Sequence, residues 1–206
     1  MSFSATPTYA ELQTAVKNWL KRGTELDTYL ADIILAGEKR IFRKLRVRAM
    51  EEALSSAISS GTIALPTGYV GLKFAYIDGN PAQNLKRKSA DWMYEKYPVR
   101  ASSGKPKFIA REGATFIFGP YPDSGYTVKG SYYARPTAVA TTVNSIFTDN
   151  PDLYLFAALA ESSLFLGQDD NRPKIWEAKF NEILRDVQSE DDGEDASSGS
   201  LEMTAA

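Results

Sequence analysis

NPDLYLFAALAESSLFLG, residues 150–167, is the stretch whose reading decides the fold. It opens with a helix start signal, Asn150 as cap and Pro151 at the first helical position. The N–H that Pro lacks there would have had no intrahelical partner anyway. It closes on Gly167, the residue best suited to the left-handed turn that ends a helix. Between these ends residues 153–160 are all apolar, so the predicted helix has no wet face before Glu161. A helix apolar all round must be covered on every side. At about 17 residues, with Asp152 and Glu161 inside it, it is short for a membrane span and wrongly charged for one. It therefore reads as the central helix of a packed bundle or of an oligomer.

The composition is ordinary for a globular chain: 206 residues, 43% hydrophobic and 24% charged. The net charge of −2 hides an uneven distribution. From residue 190 onward the chain carries Glu190, Asp191, Asp192, Glu194, Asp195 and Glu202 and no base. Setting these six acids aside leaves 24 bases against 20 acids, a body of net charge +4. Such a body with an acidic tail suggests self-association or a charged partner rather than a dedicated nucleic-acid binder. There is no Cys and no His, which removes disulfides, thiolate nucleophiles, Cys/His zinc sites and imidazole bases together. Residues 1–7 lack the basic and apolar regions of a signal peptide, so the chain is expected to be made and kept in a cytosol.

Outward from the central helix, the rest of the chain supplies cover. Thr8 and Glu11 fit a capping box at the start of a first helix, whose inner face is Leu12, Ala15, Val16 and Trp19, with Gly23 as its stop. A second helix is predicted over 26–47, its buried face running through Leu30, Ile33, Ile34, Gly37 and Ile41. Its acids come first and its bases second, which suits the helix dipole. From 48 to 148 short β-rich runs alternate with Gly, Pro, Asn and Asp, interrupted by one short helix near 89–97. A last amphipathic helix carries Trp176, Phe180, Ile183, Leu184 and Val187 to about residue 188, after a tight link at 167–170. The expected architecture is α+β. Three amphipathic helices surround a central apolar one, with a β-rich insertion between the second and third helices and an extended acidic C-terminal tail held by a partner. The expected segments are 1–47 and 149–188 for the helical core, 48–148 for the insertion and 189–206 for the tail.

No segment makes a convincing active site. Glu161 in its apolar helix could be a carboxylate acid or base of a hydrolase, but a structural ion pair with a base on a neighbouring helix or subunit is favoured. Lys39, Arg43 and Arg46 project opposite the buried face of the second helix, where they could grip phosphates or pair with a neighbouring subunit. Leu35 and Phe42, seven apart, share a third side of that helix and hint at a subunit contact. The basic stretches 39–48 and 86–111, the latter beside Trp92, Tyr94 and Tyr97, leave open a nucleic-acid-binding module as the alternative function. Asp149, Asp152, Asp169 and Asp170 lie at helix starts, where capping accounts for them without a metal. No cofactor motif is present.

Taken in order, TYAELQTAVKNWLKR, GEKRIFRKLRVRAMEEA, TIALPTGYVGLKFAYIDG, FIFGPYPDSGYTVKGSYYARP, NPDLYLFAALAESSLFL and IWEAKFNEIL resemble the head-to-tail adaptor (connector) proteins of tailed bacteriophages. The likeness covers roughly residues 8–188 and is nearest to the adaptors of short-tailed phages. It implies a structural, non-enzymatic virion protein, assembled in the host cytoplasm, with no cofactor and no membrane. Such adaptors form a homo-oligomeric ring, usually dodecameric, beneath the portal protein at the capsid vertex. They carry the packaged double-stranded DNA through a channel and seat a tail or nozzle protein. On that basis Leu35, Lys39, Phe42, Arg43 and Arg46 are candidate subunit or channel contacts. Glu190, Asp191, Asp192, Leu201 and Met203 are candidate portal contacts, and Trp92, Tyr94 and Tyr97 candidate tail-protein contacts.

Overall fold

The computed structural model describes residues 3–98, 103–166 and 171–198, with side chains except those of 164–166 and 194–198. The expected stop at Gly167 and the link 167–170 lie outside these. Among the described residues there are six α-helices, α1 (Tyr9–Leu20), α2 (Asp27–Lys44), α3 (Ala90–Lys96), α4 (Ser145–Asp149), α5 (Pro151–Leu166) and α6 (Arg172–Ser198). Eight strands accompany them: β1 (Glu51–Ala57), β2 (Thr62–Ala64), β3 (Tyr69–Ile77), β4 (Gln83–Asn84), β5 (Lys86–Arg87), β6 (Phe108–Glu112), β7 (Thr115–Gly119) and β8 (Thr127–Ala134). The chain divides into two compact units, one of residues 1–49 with 136–206 and one of Met50–Arg135.

The α+β class stands, but the expected four-helix core with an extended tail does not. Two short helices, α3 and α4, add to the four expected, and the strands form two sheets. The acidic end is the last part of α6, which runs through Ser198. Glu and Ala propagate a helix readily, Asp less so, and Gly193 costs only about 1 kcal/mol. Contacts to the end of α2 hold this part of α6: Gln188 Nε2 donates to Lys44 O at 3.2 Å, and Asp191 Oδ1 accepts from Arg48 N at 3.0 Å.

In the first unit α5 packs against α1, α2, α4 and α6. Leu153, Tyr154, Leu155, Ala157, Ala158, Leu159 and Ala160 are all buried, so the apolar helix is covered by its own chain. The closest approach is to α2. A Cβ built on Gly37 would lie 2.8 Å from Ala158 N and 3.0 Å from Ala157 C, so glycine here lets the two backbones meet. At α1 the capping box is formed, Thr8 N donating to Glu11 Oε2 at 2.7 Å and Glu11 N to Thr8 Oγ1 at 3.2 Å. The helix ends on Lys21 in the left-handed conformation, φ 52°, two residues before the expected Gly23. Trp19, expected on the buried face, is 41% exposed, its ring edge-on to Phe156 at 5.4 Å. Asn150 closes α4 through its N–H to Ile146 O, a role its sequence context did not suggest. Among the described residues no helix is long and apolar enough to cross a membrane.

The second unit holds two four-stranded sheets, in the orders β1-β8-β3-β4 and β2-β7-β6-β5. Pairing is antiparallel except between β5 and β6. Leu54, Leu72, Ile77, Val128 and Tyr132 of one sheet share a core with Ile63, Ile109, Phe116 and Phe118 of the other. Along β8 Val128, Gly130 and Tyr132 alternate with Lys129, Ser131 and Tyr133, and the strand buries Val128 and Tyr132 on the first of these faces. At Gly130 a Cβ would fall 2.2 Å from Phe74 O, so β3 and β8 come too close there for any side chain. β1 was not legible in the sequence, because Glu51-Glu52 followed by serines lacks the usual strand residues.

Gly37→Ala should destabilise the protein. Overpacking costs about 1–3 kcal/mol, and the better helix propensity of Ala returns about 1 kcal/mol. Chemical denaturation should show a net loss; a stabilised variant would mean that α2 and α5 can separate freely. The neighbouring Glu38 tests burial in another way. Its carboxylate is buried, accepts from Val139 N at 2.7 Å, and burial pushes its pKa above the ordinary carboxylate value. A raised folded pKa gives stability that is fully present below the ordinary carboxylate range and is lost as pH rises through the folded value. Glu38→Gln keeps an acceptor for Val139 and removes that loss. Denaturation across the range should therefore show the variant gaining on the wild type as pH rises, whereas a constant difference would contradict this assignment.

Candidate interaction surfaces

The polar groups of the first unit sort into those its own helices use and those they leave outward. Arg40 projects from α2 toward α5 and α6. Its Nη1 donates to Glu161 Oε1 at 3.0 Å, its Nη2 to Glu177 Oε1, and its guanidinium lies over the Phe180 ring at 4.9 Å. Glu161 is thus tied to a base three helical residues beyond the Gly37 contact. A half-buried guanidinium with two carboxylates and an aromatic face is a well-satisfied group, and removing one partner would leave the others partly uncompensated. Lys44 extends the network, donating to Asn181 Oδ1 at 3.3 Å.

The candidate contacts on α2 separate. Lys39 and Arg43 are exposed, with no ion pair among the described residues. Leu35 is 38% exposed. Phe42 is not on a surface: it is 2% exposed and edge-on to Tyr154 at 6.4 Å. The projection that placed it beside Leu35 fails because bulky Tyr154 of α5 reaches that side of the helix. Arg46 lies past the end of α2 and folds back, Nη1 donating to Phe42 O at 3.1 Å and to Leu45 O. It serves carbonyls that the helix end leaves without partners.

The acidic candidates also divide. Asp191 accepts from the backbone N of Arg48 and from its Nε, the latter at 3.4 Å, while Glu190 and Asp192 are exposed on α6. Leu201 and Met203 lie outside the described residues. In the second unit α3 is capped by Ser89, whose Oγ accepts from Trp92 N at 3.2 Å. Trp92 packs on Phe108 with ring centroids 4.8 Å apart, and Tyr97 packs against the same small core of Met93, Ala110 and Ile117. Both rings are partly buried by this packing. Tyr94 is 42% exposed, its hydroxyl donating to Glu112 at 2.6 Å.

Among the described residues no group of three or more His, Cys, Asp or Glu could hold a metal ion. Burial raises the pKa of the Tyr154 phenol strongly, against a hydrogen bond to Asn144 Oδ1 at 3.0 Å. That hydrogen bond ties α5 to the cap of α4, since Asn144 Oδ1 also accepts from Phe147 N at 2.9 Å. The described polar clusters are thus placed as helix ties and caps, with Leu35, Lys39, Arg43, Tyr94, Glu190 and Asp192 left facing outward.

A comparison with curated proteins returned no match. A comparison with protein-family profiles matched the SU10 adaptor protein over residues 7–203, nearly the whole chain and both units. The chain therefore belongs to the SU10 adaptor protein family, consistent with a phage head-to-tail adaptor.

Proposed function

We propose that this protein is a structural adaptor of the phage virion that forms a ring beneath the portal, joins the capsid vertex to the tail and continues the DNA channel. The family match across residues 7–203 carries the reading. Several features support it. The central helix is covered within one chain, which leaves the outer surfaces available for assembly. A cyclic ring needs two different patches on each copy that fit one another. Leu35, Lys39 and Arg43 form one candidate patch. The exposed acids Glu190 and Asp192, with Leu201 and Met203 beyond them, are candidates for the portal, and Tyr94 for the tail protein. Lys39 and Arg43 would face either a neighbouring copy or the DNA. The copy number is taken as twelve only from the resemblance to known adaptors.

Native mass spectrometry of the protein with and without portal tests the proposal. The expected result is a closed multimer that binds portal, and a monomer with no portal affinity at micromolar concentration would overturn it. The paired exchange Glu190→Lys with Asp192→Lys should weaken portal attachment by about 0.2–1 kcal/mol per charge, more at low salt, with the fold unchanged. Undiminished attachment would remove these acids from the interface.

A further inference from the structure

The second unit contains a cleft of about 200 Å³ lined by Gly71 and Leu72 of β3, Arg87 and Lys88, Ile109 and Arg111. Phe116 and Tyr69 complete its apolar floor. Three cations stand at its rim, and among the described residues none has a carboxylate partner; no acid lines the cleft. Each is instead held in place by neutral groups. Arg87 Nη1 donates to Leu72 O, Lys88 Nζ lies 5.0 Å over the Trp92 ring, and Arg111 lies 5.4 Å over the Tyr69 ring with its Nε donating to Gly113 O at 3.1 Å. Three like charges converging on a hollow repel one another, so an anion entering it is attracted by all three.

The backbone beside the cleft narrows the kind of anion. β3 pairs with β8 along one side for its whole length. On its other side β4 pairs only with Tyr76 and Ile77, and Leu85 N donates to Ala75 O. Opposite Val70, Gly71 and Leu72 no strand pairs among the described residues; the Leu72 carbonyl accepts from the Arg87 side chain, which an entering strand would displace. A Cβ built on Gly71 meets nothing within 4 Å, so the face of β3 is open here and leaves room for the side chains of a neighbouring peptide. An unpaired strand edge is recognised by another extended peptide, whose side chains alternate between the sheet and the rim. Single-stranded nucleic acid would use aromatic faces on which bases stack. Here those faces are taken: Tyr69 lies between Arg111, Tyr132 at 6.0 Å and Phe116 at 5.4 Å, and Trp92 between Lys88 and Phe108.

We infer that this cleft is a docking groove for an extended acidic peptide segment of another protein, which adds a short strand beside Val70–Leu72 and sets its carboxylates against Arg87, Lys88 and Arg111. The inference uses only the second unit and does not depend on ring formation. Fluorescence anisotropy tests it with a labelled peptide of alternating Glu and Val, an alternating Lys and Val control, and single-stranded oligothymidylate. The Glu–Val peptide is expected to bind in a salt-sensitive way, and Lys88→Glu and Arg111→Glu should each weaken it about tenfold or more. Arg111→Lys should retain most of the binding, and amide exchange at residues 70–72 should slow when the peptide is bound. Circular dichroism checks the fold of each variant. If a Glu variant is unfolded, Lys88→Gln and Arg111→Gln give the same comparison without charge reversal. Oligothymidylate binding that the same variants abolish would overturn the peptide assignment in favour of phosphate. So would Glu–Val binding indifferent to every variant, or no binding by any probe.

Discussion

The backbones of α2 and α5 meet at Gly37 against Ala157 and Ala158, and much of the first unit depends on that contact. An apolar helix such as α5 has no face to give to water, so its stability comes almost wholly from being covered. Glycine on one side and alanines on the other let the axes approach closely enough for the larger residues around them to close the core. Leu153, Tyr154 and Leu159 then bury completely or nearly so. Two neighbours of Gly37 inherit their geometry from it. Glu38 reaches the Val139 amide, and Arg40, less than one turn further, reaches Glu161 on α5. Had the helices been held apart by a side chain at position 37, neither polar group could find its partner so directly. Both would then have been buried or half-buried at a cost.

The second unit solves its close packing in a similar way. Gly130 lets β8 pass against β3 at the point where the β3 register shifts, between Leu72 and Phe74. Irregularity of this kind bends a strand and redirects its side chains. β4 pairs with β3 only at Tyr76 and Ile77, on the far side of that shift, and the basic cleft lies where the pairing stops. The two sheets nonetheless share one apolar core, so the cleft is a feature of a filled unit rather than a packing defect.

How much of this was legible depended on whether the signal was local. The capping box at Thr8 and Glu11, Pro151 at the start of α5 and the alternation of β8 are local patterns, and each could be read from a few residues. Glu161 was visible as an acid in an apolar helix, but its partner Arg40 lies 121 positions away and no spacing rule connects them. Phe42 was misplaced because a helical projection assigns sides without knowing the size of what packs there. Arg46 was read as part of a charged face because the helix was expected to run to residue 47, whereas it ends at Lys44 and Arg46 turns back on its carbonyls. The acidic end was read as extended because its composition resembles that of solvated chains. The anchors that keep it helical, Lys44 O and Arg48, belong to a distant segment. Trp92 and Tyr97 were read as contact residues by type, and their partial burial against Phe108 could be known only from the fold.

The central claim is that the hydrophobic core is complete within one chain, so that assembly uses only outward surfaces. Amide hydrogen exchange on the dilute, unassembled protein tests this most directly. Residues 153–160 of α5 should be among the slowest to exchange in the helical unit, with the same protection before and after assembly. Rapid exchange of α5 in the dilute protein, slowed only when copies associate, would show that a neighbour supplies its cover and would contradict the account.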